Sequence, residues 1–305
     1  MRVYKNLICK AMIGAGTAMC CFLTTGCVKE TVADDCRRVT VTIAPLEYFV
    51  RNIGGDSVEV STLMGSGSDP EVFQPGMGVM RDLSRSGNLL VTGVLPFESR
   101  LVADVCDHGT ELRVGVAGEG IDYMYGTHSH GVGECAEEDE EVDGAGEPDP
   151  HIWSSARNAK IMADNTLEFL KGAFPELSGY LEERHAAMCM RLDSMDRVYG
   201  ERLKGVEGFV IWHPSLSYFA RDYGMEQVAL NLENKETSSI RLKEAAEHAL
   251  EHHAVAFFIP EGFSRNRVAT LAETIGVAPT EINFMDSDIE RQLNAVVDAL
   301  TSHHE

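Results

Sequence analysis

Val39-Thr40-Val41-Thr42-Ile43 alternates apolar and polar side chains, the period of a strand with one buried face. Pro45 then opens a helical pattern through Asn52, and alternation resumes over 57–64. Apolar runs at 88–92 and 112–116 read as further strands, with helical spacing over 76–86 and 97–107 around and between them. From Ser154 the period of 3.6 takes over to about Lys171, Pro175 interrupts it, and a second long helical pattern runs from Glu176 to Leu203. Strand and helix patterns then alternate again: strands at 208–212, 228–232, 255–259 and 280–284, and helices from Ser215, over 239–253, over 265–275 and over 289–302. Such alternation predicts βα units and parallel sheets. The expected fold is α/β: two α/β lobes with mainly parallel sheets joined by a long rigid helix. Its divisions are a first lobe over 38–172, a linking helix over 173–205 and a second lobe over 206–305. Open α/β sheets take ligands beyond the carboxyl ends of their strands, so facing lobes place a ligand in the cleft between them.

Two segments fall outside that pattern. Arg2, Lys5 and Lys10 precede an uncharged stretch from Ala11 to Gly26 that is too short and too rich in Gly and Thr for a membrane span; residues 1–26 read as a secretory signal peptide. Leu23-Thr24-Thr25-Gly26-Cys27 resembles the cleavage box of bacterial lipoproteins, in which the cysteine becomes the acylated first residue, although Thr24 stands where that box prefers a branched apolar side chain. The alternative is an ordinary signal peptide with a free cysteine nearby. Residues 27–37 then read as a lipid-anchored tether, and the protein as exported, periplasmic or at the cell envelope. The second segment is 127–149: between 134 and 149 it holds nine acids in sixteen positions, which cannot bury apolar surface and predict a surface loop.

Charge narrows the choice of partner. The formal charge is −22, and removal of the signal segment takes away three cations and no acids, giving −25. That field repels phosphates, and no basic patch with interleaved aromatics is present, so nucleic acid is excluded as a partner and a cation is favoured. Of eight cysteines, Cys36, Cys106, Cys135 and Cys189 follow Cys27 without CxxC spacing, which excludes a zinc ribbon and leaves open disulfides or small buried hydrophobes.

Three stretches put a ligand-type side chain beside proline: Gly67-Ser-Asp-Pro-Glu-Val-Phe-Gln-Pro75, Asp149-Pro-His-Ile-Trp153 and Trp212-His-Pro-Ser-Leu-Ser-Tyr-Phe219. Proline fixes φ next to each candidate, which suits a site assembled from separate loops. Singly, each also reads as a turn or a helix cap. Together, with Asn234-Lys-Glu-Thr-Ser-Ser239, they resemble the metal-binding solute-binding proteins of ABC importers, the TroA-like or ZnuA-like family, over roughly residues 39–300. In that family GxDPHxxxP, DPHxW and HPSxxYFA segments supply ligands from two lobes.

The resemblance implies that His151 and His213 are metal ligands from opposite lobes. Glu71 stands where the family's first loop has histidine, and an oxygen ligand there shifts preference from zinc toward manganese or iron. Asp286 is a fourth candidate after the last strand, because Asn283 occupies the aligned position; helix capping is its other reading. The implied function is capture of a divalent transition metal, Zn2+ or alternatively Mn2+ or Fe2+, by a monomer that hands it to an inner-membrane ABC permease. Ligands on both lobes make closure depend on occupancy, and affinity is expected to fall below about pH 6 because only neutral imidazole coordinates. Relatives carry a histidine-rich loop where this chain has the acidic segment; His128 and His130 alone echo it, so the segment is either a metal collector or a solvated loop.

Two other classes compete. His248-Ala-Leu-Glu-His252 matches the HxxEH pattern of inverted zinc peptidases, but Leu242, Ala245, Ala246 and Ala249 mark the buried stripe of that helix and leave His248, Glu251 and His252 on its flank. The other is a metal-free adhesin or interaction protein on the same fold, suggested by Glu71 and Asn283. No GxSxG, P-loop or GxGxxG fingerprint is present.

Overall fold

The computed structural model describes residues 37–65, 73–76, 78–79, 83, 86–107, 112–125, 147–230 and 239–302. Cys27, Cys36, Glu71, Cys135, the signal segment, most of the 127–149 segment including His128 and His130, and residues 234–238 lie outside the described residues.

Strands β1 (Arg38–Ile43), β2 (Glu59–Met64), β3 (Asn88–Val91) and β4 (Arg113–Val116) form a wholly parallel sheet in the order β2-β1-β3-β4. Strands β5 (Gly208–Ile211), β6 (Glu226–Ala229), β7 (Ala254–Pro260) and β8 (Pro279–Ile282) repeat the pattern, parallel throughout, in the order β6-β5-β7-β8. The two-lobed α/β architecture expected from the sequence is the one observed. Each order reverses direction once, between β1 and β3 and between β5 and β7. That switch point opens a crevice at the carboxyl ends of the strands.

Helix bounds follow from local chemistry. Pro45 supplies the fixed φ that favours the first turn of the Ala44–Gly54 helix, and Ser155 caps the Ala156–Ala173 helix by accepting from the Asn158 amide. Gly224, in the left-handed region at φ 69°, ends the Ser217–Tyr223 helix. Two strands sit two or so residues earlier than their apolar runs suggest. β6 ends at Ala229 and β8 at Ile282, so Leu230 and Phe284 fill the core from beyond the sheet. The helical pattern over 265–275 is split into a short 3-10 turn, Arg265–Arg267, and a helix over Ala269–Ile275.

The 25-residue Ser178–Arg202 helix links the lobes and is bolted to both. Its Arg184 and Arg191 donate to Asn52 of the first lobe, at 2.9 and 2.6 Å. Arg191 also pairs with Glu290, Tyr199 donates to Asn294 at 2.9 Å, and Arg202 pairs with Asp298, all on the Ile289–Thr301 helix of the second lobe. Leu181, Met188, Leu192 and Tyr199 are buried in an apolar core that runs without a break from Val41 and Leu90 in the first sheet to Phe209, Phe258 and Val297 in the second lobe. A separate core, around Val210, Phe257 and Ala249, fills the other face of the second sheet. No described helix is long and apolar enough to cross a membrane; Cys106 and Cys189 are half-buried, Cys189 as a thiol in no disulfide.

At the first lobe's switch point sits a fully buried carboxylate. Glu98, in the first turn of the Pro96–Asp107 helix, accepts from the Thr42 hydroxyl (2.6 Å), the Thr92 amide and hydroxyl (both 2.8 Å) and the Gly93 amide (2.7 Å). It thus ties β1 to the end of β3. Burial outweighs these four donors and holds its pKa above the ordinary carboxyl value. The folded chain therefore binds this proton more tightly than the unfolded chain does. Its contribution is complete below the unfolded value of about 4.3 and is lost as pH rises through the raised value. Glu98→Gln keeps the shape but turns an amide N–H toward donors, an expected loss of about 1–3 kcal/mol near pH 5. Chemical denaturation of both forms from pH 5 to 8 checks this: the gap between them should narrow as pH rises.

Candidate metal centre

The site is assembled where the chain returns from the first sheet. An isolated bridge between Tyr125 and Pro148 closes the preceding segment, and Asp149-Pro150-His151 then turns into a one-turn 3-10 helix, Ile152–Ser154. Asp149 is fully buried. Its Oδ1 accepts from both the backbone amide and the Nδ1 of His151, each at 2.9 Å. That pairing assigns the proton to Nδ1 and leaves the lone pair on Nε2, the arrangement a metal-binding imidazole requires.

The second imidazole comes from the carboxyl end of β5. Trp212 still bonds to the neighbouring strand through Phe258 O at 2.9 Å, and the chain then breaks away at His213-Pro214. The Ser215 amide donates to His213 O at 2.7 Å, and buried Gln227 accepts from the Leu216 amide while donating to Ser217, both at 2.9 Å. These bonds fix the turn that presents His213 to the cleft. His213 Nε2 lies 3.2 Å from His151 Nε2, with the rings 72° apart. Two nitrogens bound to one tetrahedral zinc at about 2.0–2.1 Å stand roughly 3.3–3.4 Å apart, so the observed separation is close to one edge of that coordination shell.

Contacts across the cleft hold this geometry. The Tyr218 hydroxyl of the second lobe donates to Asp149 O at 2.9 Å, and the Trp153 indole of the first lobe donates to Phe284 O at 2.8 Å. Burial pushes the Tyr218 phenol well above its ordinary pKa, so it remains a donor. Ser155 donates to Asp222, a further tie between the lobes.

Of the other candidates, Glu71 lies outside the described residues. Asp286 is paired with Arg291 and accepts from the Asp288 amide at 2.8 Å, while Asp288, not Asp286, caps the following helix by accepting from the Arg291 amide at 3.0 Å. Asn283 donates to Glu261 at 3.1 Å. Sequence reasoning did not single out Asp149 or Tyr218 as positioning residues, although each sits inside a quoted motif; the signal for Asp149 is its place two residues before a histidine across a proline.

His248 and His252 do stack, with ring centroids 4.5 Å apart, beside the buried stripe of Ala245, Ala246 and Ala249. Among the described residues no third metal-ligating side chain joins them, and Glu251 is exposed. Among the described residues the peptidase alternative therefore lacks a third ligand.

A parallel-sheet lobe on each side of paired imidazoles, joined by one long helix, defines a two-lobed metal-binding protein. The chain belongs to the family of the periplasmic zinc-uptake complex component A, ZnuA, whose model matches residues 39–300. It is 24% identical over 289 residues to the zinc-binding lipoprotein AdcA of Streptococcus pneumoniae, covering 91% of this chain and 56% of AdcA; the chain thus spans a little over half the length of that relative. A putative metal-binding protein of Treponema pallidum is 25% identical over 295 residues, 92% of this chain and 91% of that protein. A crystal structure of ZnuA superposes with a TM-score of 0.76 at 26% identity, covering 89% of this chain and all of ZnuA. A zinc-bound ZnuA deletion mutant gives 0.74 at 26% identity, covering 88% and 97% of the two chains.

If Asp149 orients His151, Asp149→Asn should weaken zinc binding by about 10–100-fold, the usual effect of removing a metal ligand's hydrogen-bond partner. Competition against a chelator measures this, with far-UV circular dichroism confirming an unchanged fold. An unchanged Kd would dismiss that role.

Proposed function

We propose that this chain is the solute-binding component of an ABC importer, capturing a divalent transition metal between its lobes and delivering it to a membrane permease. It breaks no bond; binding is the function, as in its family. The observation that carries this reading is the 3.2 Å approach of His151 Nε2 and His213 Nε2 from opposite lobes, one of them oriented by a buried carboxylate. Zinc is the metal that fits two imidazoles best and the one named for its relatives. Glu71 is assigned as the third ligand, and its oxygen makes manganese or iron the alternative cargo. Asp286 joins the shell as a fourth ligand by leaving Arg291.

The finer features follow from the sequence. Cys27 carries the lipid that holds a monomer at the membrane, residues 27–37 serve as tether, and the lobes divide as 38–172 and 206–305 around the 173–205 link. The acidic stretch within 127–149 collects the same divalent ion at low affinity.

Thermal unfolding with added metal tests the reading. At a thousandfold excess over Kd, a ligand that binds only the folded chain adds about 4 kcal/mol. Zinc should raise the unfolding temperature of the parent by clearly more than that of the His151→Ala/His213→Ala chain; manganese in a parallel titration decides the cargo. No stabilisation of the parent by zinc, manganese or iron would end the proposal.

A further inference from the structure

Among the described residues, three metal-ligating side chains bring their donor atoms within 4.8 Å of one another: Asp164, His185 and Cys189. None belongs to the cleft. They lie where the Ala156–Ala173 helix packs antiparallel on the long Ser178–Arg202 helix, after the chain reverses through the Pro175–Leu177 turn.

Elsewhere that face is laced by ion pairs of one polarity, a cation on the first helix opposite an acid on the second. Lys171 pairs with Glu182 at 2.7 Å, Lys160 with Asp193 at 2.6 Å and Arg157 with Asp196 at 3.0 Å. Between Lys171 and Lys160 the pattern inverts: the first helix offers an acid, Asp164, and the second offers His185 and Cys189, four residues apart on one helical face. His185 Nε2 stands 2.8 Å from Asp164 Oδ1 and 3.3 Å from Cys189 Sγ, so a single nitrogen faces both other donors. Helix pairing alone would be served by another lysine at 164 and another acid at 189.

We propose that Asp164, His185 and Cys189 form a second divalent-metal site, separate from the cleft and selective for zinc-like ions over calcium or magnesium. Thiolate and imidazole are the ligands that make this selection, and the carboxylate completes a Cys-His-Asp set whose fourth position is open to solvent. Bond lengths of about 2.0–2.3 Å to a tetrahedral ion place donors roughly 3.3–3.6 Å apart, so the two spacings from His185 Nε2 need widen by only about half an ångström. Half-buried His185 and Cys189 sit on helical backbone, which limits their freedom before the ion arrives, while exposed Asp164 can adjust. Burial first, then the Asp164 charge, raises the Cys189 pKa. The ion therefore displaces a thiol proton, and thiolate and carboxylate together balance its two charges. Nearby Lys160 and Asp193 already neutralise each other. Bound metal would staple the two helices that carry the lobes, at a point the cleft does not touch.

Cobalt(II) titration of the full chain tests this, because cobalt bound to a thiolate gains a near-ultraviolet charge-transfer band and, among the described residues, the cleft offers no thiolate. The band is expected in the parent and also in the His151→Ala/His213→Ala chain, and zinc should displace it. Cys189→Ser should abolish it, Cys106→Ser should leave it intact, and His185→Gln and Asp164→Asn should each weaken cobalt affinity at least about tenfold. Far-UV circular dichroism checks each fold, and exposed Asp164 gives a variant with little structural cost. A parent without the band, or a band of unchanged strength in Cys189→Ser or Asp164→Asn, would overturn the second site. Because the double cleft variant retains the band under this proposal, its failure leaves the cleft reading untouched, and the reverse holds as well.

Discussion

The bond between the Asp149 carboxylate and His151 Nδ1 is the constraint on which the cleft rests. A fully buried carboxylate carries a desolvation cost of several kcal/mol, and it persists only where hydrogen bonds and charge offset that cost. Here Oδ1 accepts two bonds from His151, so the residue that needs orientation also supplies hydrogen bonds to the acid that orients it. The backbone of Asp149 is held in turn by Tyr218 from the other lobe. An imidazole of the first lobe thus depends for its aim on a side chain of the second. The two halves of the centre are mechanically one unit even though a cleft divides them.

The two imidazoles occupy different places in their lobes for a topological reason. In the second lobe, His213 follows β5, the strand at the switch point, so the open crevice presents it directly. In the first lobe the equivalent crevice is filled by Glu98, whose four hydrogen bonds close the gap between β1 and the end of β3. His151 arrives instead from the returning segment, over the top of the sheet. Glu98 serves as floor where the second lobe presents His213.

Much of this was legible in the chain itself. The alternation over 39–43 and the long helical period after Pro175 mark β1 and the linking helix to within a residue or two, because period and buried face coincide there. The displaced ends of β6 and β8 show the limit: Leu230 and Phe284 are apolar because they fill the core after the strand stops, and periodicity cannot separate a core side chain in a strand from one just beyond it. At the site, His151 and His213 are visible beside their prolines, whereas Tyr218 is not, since its partner is a backbone carbonyl 69 residues away. The Asp164, His185 and Cys189 grouping is invisible in one dimension for a related reason. Only the antiparallel return of the chain brings 164 opposite 185 and 189.

The linking helix limits what occupancy can change. Rotation of one lobe against the other would pull Tyr199 from Asn294, Tyr48 from Glu290 and Arg191 from either Asn52 or Glu290. It would also open an apolar core that both lobes share, at a cost of about 1.5–3 kcal/mol for each large side chain exposed. An ion bound in the cleft would have to offset such losses before it could turn one lobe against the other. The turn at His213 and the segment from Asn283 to Asp288 are held as well, the first by bonds from the Ser215 and Leu216 amides and the second by Gln292, Glu261 and Arg291.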